Sequence, residues 1–150
     1  MTRARSLLAG LLVALAAACS STGGATPDPT VPAGYEAVPD EELFSVPRSL
    51  PGVRASDLRY VDELGQSRSY RGRVTMQEGL PEERVDRTFD TVLRVLRHGR
   101  FGASYEVDVQ SGSYVAGGVT FDLTLAEDYE ARYGEQTGQE GWPLPSLRTG

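Results

Sequence analysis

Gly79-Leu80-Pro81-Glu82-Glu83-Arg84-Val85-Asp86-Arg87-Thr88-Phe89-Asp90-Thr91-Val92-Leu93-Arg94-Val95-Leu96-Arg97-His98-Gly99 is the stretch whose reading decides the fold. Val85, Phe89, Val92, Leu93 and Leu96 recur at i, i+4, i+7, i+8 and i+11, which places them on one continuous helical stripe. Pro81 suits the first helical position, and Glu82 and Glu83 complement the positive end of the helix dipole. Glu83 with Arg87 and Asp90 with Arg94 form i,i+4 pairs in the favourable orientation. Arg97 and His98 fall in the last turn, where cations are favoured, and Gly99 is expected as the residue that ends the helix.

Strands flank this helix. Before it, Tyr70, Gly72, Val74 and Met76 alternate with Arg71, Arg73, Thr75 and Gln77, and the shorter Leu58-Arg59-Tyr60-Val61 reads as a partner strand. After it, Ala103, Tyr105, Val107 and Val109 alternate with Ser104, Glu106, Asp108 and Gln110. Ser111-Gly112-Ser113 then turns the chain, and Val119, Phe121, Leu123 and Leu125 alternate with Thr120, Asp122 and Thr124. Gly117-Gly118 at the start of that run points to a bulge or bend. A helical turn from Ala126 to Tyr133, stopped by Gly134, is expected next.

The element order is therefore β-β-α-β-β, an α+β two-layer sandwich with one helix on one face of a four-stranded sheet. The last strand is the most apolar, so it is expected centrally. That gives a spatial order of 1-2-4-3, with all neighbours antiparallel and a split crossover through the helix. The folded unit spans residues 52–133, about 80 residues with little surplus stability after chain entropy. Residues 134–150, which include Trp142-Pro143-Leu144-Pro145, lack periodicity and are expected as a loose polar tail.

The N-terminal end has a different character. Arg3 and Arg5 precede an apolar run from Leu7 to Ala18, too short for a permanent span, and Ala16-Ala17-Ala18 leads directly to Cys19. This stretch resembles the lipobox signal of bacterial lipoproteins, although Leu15 sits one place upstream of the family's preferred position. The resemblance implies cleavage before Cys19, so that 1–18 is a signal peptide, and lipidation of the Cys19 thiol with acyl chains such as palmitate. It also implies anchoring on the extracytoplasmic face of the cell membrane. Residues 19–51 then read as the lipidated cysteine and a flexible tether. Ser20-Ser21-Thr22-Gly23-Gly24 opens it, and Pro27, Pro29, Pro32, Pro39, Pro47 and Pro51 interrupt regular structure. Only Asp40-Glu41-Glu42-Leu43-Phe44 is expected to form a turn of helix, at the domain edge. The chain has no Lys, Asn or Ile, whose codons are AT-rich. From Val53-Arg54-Ala55-Ser56-Asp57-Leu58-Arg59-Tyr60 through the helix to Leu96, it is similar to small lipoproteins of GC-rich Gram-positive bacteria.

Composition narrows the function. The 150 residues carry a net charge of −6, two units more negative once Arg3 and Arg5 leave with the signal. Nucleic acid is therefore disfavoured as a partner, and membrane contact is expected mainly through the lipid. A single cysteine excludes an internal disulfide.

Catalytic chemistry finds few footholds. His98 is the only histidine and is expected to interact with the last carbonyls of its helix; a lone histidine completes neither a metal site nor a Ser-His-Asp triad. Gly117-Gly118 and Gly99-Arg100-Phe101-Gly102 lack a phosphate-loop pattern and read as turns. The acidic residues lack calcium-loop spacing, and a one-helix sandwich offers little cleft for a pair of catalytic carboxylates. No cofactor or metal is expected.

The solvent face of the sheet remains as the candidate binding surface. Arg59, Arg71 and Arg73 lie there with Glu106, Asp108 and Asp122, and the expected strand order sets Arg71 or Arg73 beside Asp122. Tyr114 and Trp142 are candidate recognition aromatics. The leading expectation is a non-catalytic, lipid-anchored envelope module that binds another envelope protein or a second copy of itself. The alternative is a carrier of a small ligand or lipid, with the inward-facing Gly72 leaving space beneath the helix. An enzyme comes third.

Overall fold

The computed structural model describes residues 30–64, 67–117 and 126–144. Its elements run α1 (Asp40–Ser49), β1 (Val53–Ser56), β2 (Arg59–Val61), β3 (Ser69–Met76), α2 (Glu82–Leu96), β4 (Ser104–Ser111), β5 (Tyr114–Gly117) and α3 (Ala126–Tyr133). The strands form one mixed sheet in the order β1-β3-β4-β5, with β2 also paired to β3. The architecture is α+β.

The α2 stripe behaves as its spacing requires. Val85, Phe89, Val92, Leu93 and Leu96 are all buried, joined by Val95. They pack on the inner face of the sheet among Tyr70, Val74, Met76, Val107 and Val109. Burying side chains of this size contributes roughly 1.5–3 kcal/mol each. Pro81 stands at the N-cap, one place before the helix proper. Gly99 does not end the helix through a left-handed backbone: Arg97 is the C-cap, and Gly99 has no positive φ. A Cβ there would lie 2.0 Å from the Tyr70 hydroxyl and 2.8 Å from Leu43 Cδ1, so its glycine is a matter of space.

Strand order departs from the expected 1-2-4-3. The two strands that flank α2, β3 and β4, are direct neighbours and parallel, in register from Ser69 with Ser104 to Thr75 with Gln110. No strand lies between them, and the β3-α2-β4 unit is an uninterrupted parallel crossover. The reason is the helix stripe, which buries the inner residues of both strands together. Apolarity alone is a poor guide to which strand is central. The expected strand over 119–125 lies outside the described residues. β5, paired antiparallel to β4 across Gly112-Ser113, begins earlier than any strand expected there.

The opposite edge of β3 is shared by β1 and β2, which together form one edge strand broken at Asp57-Leu58. Gly72 permits this break. Its φ is +134°, and a Cβ would lie 2.0 Å from the Asp57 carbonyl oxygen. The corner crosses the inner face at that point, buries Leu58 and occupies the space expected beneath the helix.

Two segments read as flexible are part of the core. α1 runs for ten residues with Leu43 and Pro47 buried, and Val38 is buried ahead of it. The prolines do not prevent this: Pro39 sits at the N-cap, Pro47 lies near the end of the helix, and a proline ring packs as an apolar group. The C-terminal segment also docks. Gln139 N donates to Glu36 O at 2.8 Å, and Trp142 N donates to Gln139 O at 3.1 Å. Its lack of periodicity reflects a strap held by backbone pairing and one aromatic anchor.

Candidate functional site

Parity along β3 and β4 sends Arg71, Arg73, Glu106 and Asp108 to the outer face, away from α1, α2 and α3. Parallel register makes direct neighbours of Arg71 with Glu106 and of Arg73 with Asp108. Arg71 Nη2 lies 2.9 Å from Glu106 Oε1. Arg73 grips Asp108 with two bonds, Nε to Oδ1 at 2.6 Å and Nη2 to Oδ2 at 3.0 Å. That hydrogen bond raises the Arg73 guanidinium pKa further above its ordinary range. Arg59 stands opposite Arg71 on β2.

Five of the six expected face residues are therefore brought together, but in different pairs. The expected pairing of Arg71 or Arg73 with Asp122 is replaced by Glu106 and Asp108, because β4 is the immediate neighbour of β3. Asp122 lies outside the described residues, as does Cys19. Arg59, Arg71, Arg73, Glu106 and Asp108 together carry one positive charge in excess, on an acidic chain. Along from the charged rows, Thr75, Gln110 and Val115 are register partners, and Val115 is an exposed apolar side chain.

The other singled-out residues have structural roles. His98 is buried; its Nδ1 donates to Gly138 O at 2.7 Å, which fixes the tautomer, and its ring lies 5.4 Å from that of Trp142. It fastens the C-terminal strap and does not hold its own helix end. Trp142 Nε1 donates to the Glu42 carboxylate, and Tyr114 Oη donates to Asp86 Oδ1 at 2.9 Å. Among the described residues no group of three or more His, Cys, Asp or Glu side chains is placed to hold a metal ion. A shallow surface groove of about 310 Å³ runs between Leu50-Pro51 and the Arg84, Arg87, Thr88 and Thr91 side of α2.

The inner face holds a feature that strand-by-strand reading does not reveal. Tyr60, Tyr70 and Tyr105 are register partners across β2, β3 and β4, and Tyr129 and Tyr133 of α3 extend the row. Successive ring centroids lie 5.2, 6.1, 6.1 and 5.5 Å apart. Arg100 Cζ sits 4.5 Å from the Tyr60 ring centroid at one end, and Arg132 Cζ sits 5.3 Å from that of Tyr133 at the other. Burial pushes the phenols of Tyr70 and Tyr105 well above the ordinary tyrosine range, and that of Tyr129 up to about 12. Part of the signal was in the sequence: Tyr70 and Tyr105 occupy inward positions at the same end of β3 and β4, whereas Tyr60 is the middle residue of the three-residue β2.

Comparison with protein-family models, with curated proteins and with solved structures finds no match.

Proposed function

We propose that this chain is a non-catalytic, lipid-anchored domain of the cell envelope that binds a protein through the open face of its sheet. Anchoring rests on Arg3, Arg5, the apolar run and Cys19. No helix among the described residues is long and apolar enough to cross a membrane, so in this reading the acyl chains hold the protein at the bilayer. The observation that carries the binding reading is the one-sided packing of the sheet. α1, α2 and α3 all pack on the inner side, while Arg73 and Glu106 on the outer face leave 52% and 54% of their side chains exposed.

That face suits a protein partner. Val115 offers an apolar anchor beside the neutral row of Thr75 and Gln110, and the Arg–carboxylate pairs form a polar margin. The test is site-specific photo-crosslinking from position 115 in membranes, with light scattering of the purified protein to detect self-association. One defined adduct is expected, lost in Val115→Asp and retained in Arg87→Ala, which alters only the α2 groove. Neither an adduct nor self-association in the wild type would contradict the proposal.

A further inference from the structure

Resting on the proposal that the open face binds a protein, we infer that the partner is a second copy of this chain, stacked face to face about a two-fold axis. The charges on the face are sorted by strand. The outward positions of β3 carry Arg71 and Arg73 and no acid, while those of β4 carry Glu106 and Asp108 and no base. A basic strand therefore runs beside an acidic one, in step along the parallel pair. Arg59, next to Arg71 on β2, strengthens the basic half. Beyond the charges, a neutral row crosses β1, β3, β4 and β5, with Ala55, Thr75, Gln110 and Val115 as successive register partners. Ala55 and Val115 stand exposed at its two ends.

This pattern is its own complement under one symmetry operation. A two-fold axis in the plane of contact, along the strands and midway between β3 and β4, sets β3 of each copy over β4 of the other. Arg71 then meets Glu106 of the second copy, and Arg73 meets its Asp108. The same rotation lays Val115 on Ala55 and Thr75 on Gln110. An axis across the strands would instead stack arginine on arginine and carboxylate on carboxylate, which like-charge repulsion disfavours. Charge thus selects one orientation.

The pairs within each chain do not stand in the way. A carboxylate accepts up to about four hydrogen bonds and a guanidinium donates five, so each pair keeps capacity for a group from above. Packed sheets lie about 10 Å apart, a gap that an arginine and a carboxylate side chain span from opposite sides. Exposed ion pairs each contribute little, so the dimer is weak in free solution. Lipid anchoring offsets this, because copies confined to one membrane meet at a high effective concentration. With the axis along the membrane normal, both N-terminal ends lie at the same height and both anchors reach one bilayer.

The test uses the full-length lipidated protein in its own membranes, with the photo-crosslinker at position 115. The adduct is expected at twice the monomer mass, with the crosslinked peptide coming from β1 of the second copy. Its yield should fall as salt rises. Arg73→Glu alone and Asp108→Arg alone should each lose the adduct, because each sets like charges opposite one another. Coexpressed, the two variants should regain it, since each substituted residue then faces its opposite charge. If neither variant folds, the mass of the wild-type adduct and its crosslinked peptide still decide. An adduct with a different protein, and none at doubled mass, would overturn the dimer and leave the open-face reading standing; no adduct of either kind would remove both. A doubled-mass adduct joined outside β1, an adduct kept by both single variants, or no recovery on coexpression would overturn the two-fold arrangement.

Discussion

Tyr70 ties three parts of the fold together. Its hydroxyl accepts from Arg100 N at 2.8 Å and donates to Asp40 Oδ1 at 3.2 Å, and Arg100 Nη2 closes the ring to Asp40 Oδ2 at 2.9 Å. The loop after α2 is thereby bonded to the start of α1 through a residue of β3. Gly99 is the space this arrangement needs. Gly99→Ala is expected to cost about 1–3 kcal/mol, since its methyl meets the Tyr70 hydroxyl and Leu43 at once. Tyr70→Phe should cost a similar amount, about 1–3 kcal/mol, by leaving the Arg100 N–H without its acceptor. Denaturant unfolding of both variants measures this, and a change below 0.5 kcal/mol in either (a size typical of surface substitutions) would refute the arrangement. Sequence alone places Gly99 at the helix end, yet it gives backbone conformation as the reason. The actual reason is a tyrosine nearly thirty residues away, which no local pattern encodes.

Among the elements, α2 was the most legible, because its stripe, charges and flanking residues agree. The parities of β3 and β4 were equally plain, and they carry four members of the candidate face to one surface. What stayed hidden depends on pairing between distant segments. The parallel contact of β3 with β4, the edge strand broken over Gly72 and the outer pairs Arg71–Glu106 and Arg73–Asp108 all follow from strand order, which apolarity does not determine. The strap of residues 134–144 is the clearest case, since its partners are His98, Glu36 and Glu42. Deleting residues 134–150 is expected to destabilise the domain by roughly 2–5 kcal/mol. The deletion strips Trp142 from the core margin and leaves the His98 N–H and the Glu36 carbonyl without partners. Thermal unfolding of the truncated chain checks this, and an unchanged midpoint would mean that the segment is a loose tail after all.

At the scale of the whole molecule, the tyrosine row makes stability sensitive to alkali. Tyr70, Tyr105 and Tyr129 hold their protons more tightly folded than unfolded, because burial disfavours the phenolate. The unfolded chain therefore binds fewer protons above its tyrosine pKa of about 10, and stability falls as pH rises beyond that point. Tyr70 and Tyr105 each contribute up to about 1.4 kcal/mol per pH unit to this fall. Phenolate absorbance should show these tyrosines titrating together with unfolding, and Tyr70→Phe should flatten the slope. Full ionisation of all the tyrosines with the fold intact would contradict the row's burial.

The central claim is that this acidic domain is held at the membrane by lipid on Cys19. Its apolar leader is short, and its net negative charge is repelled by anionic phospholipid, so nothing else in the reading holds it there. Mass spectrometry of the membrane-associated protein tests this most directly. The account predicts a mature chain beginning at an acyl-modified Cys19, and Cys19→Ala that is soluble or unprocessed. A free Cys19 thiol in an uncleaved chain, or cleavage elsewhere with a soluble product, would contradict it.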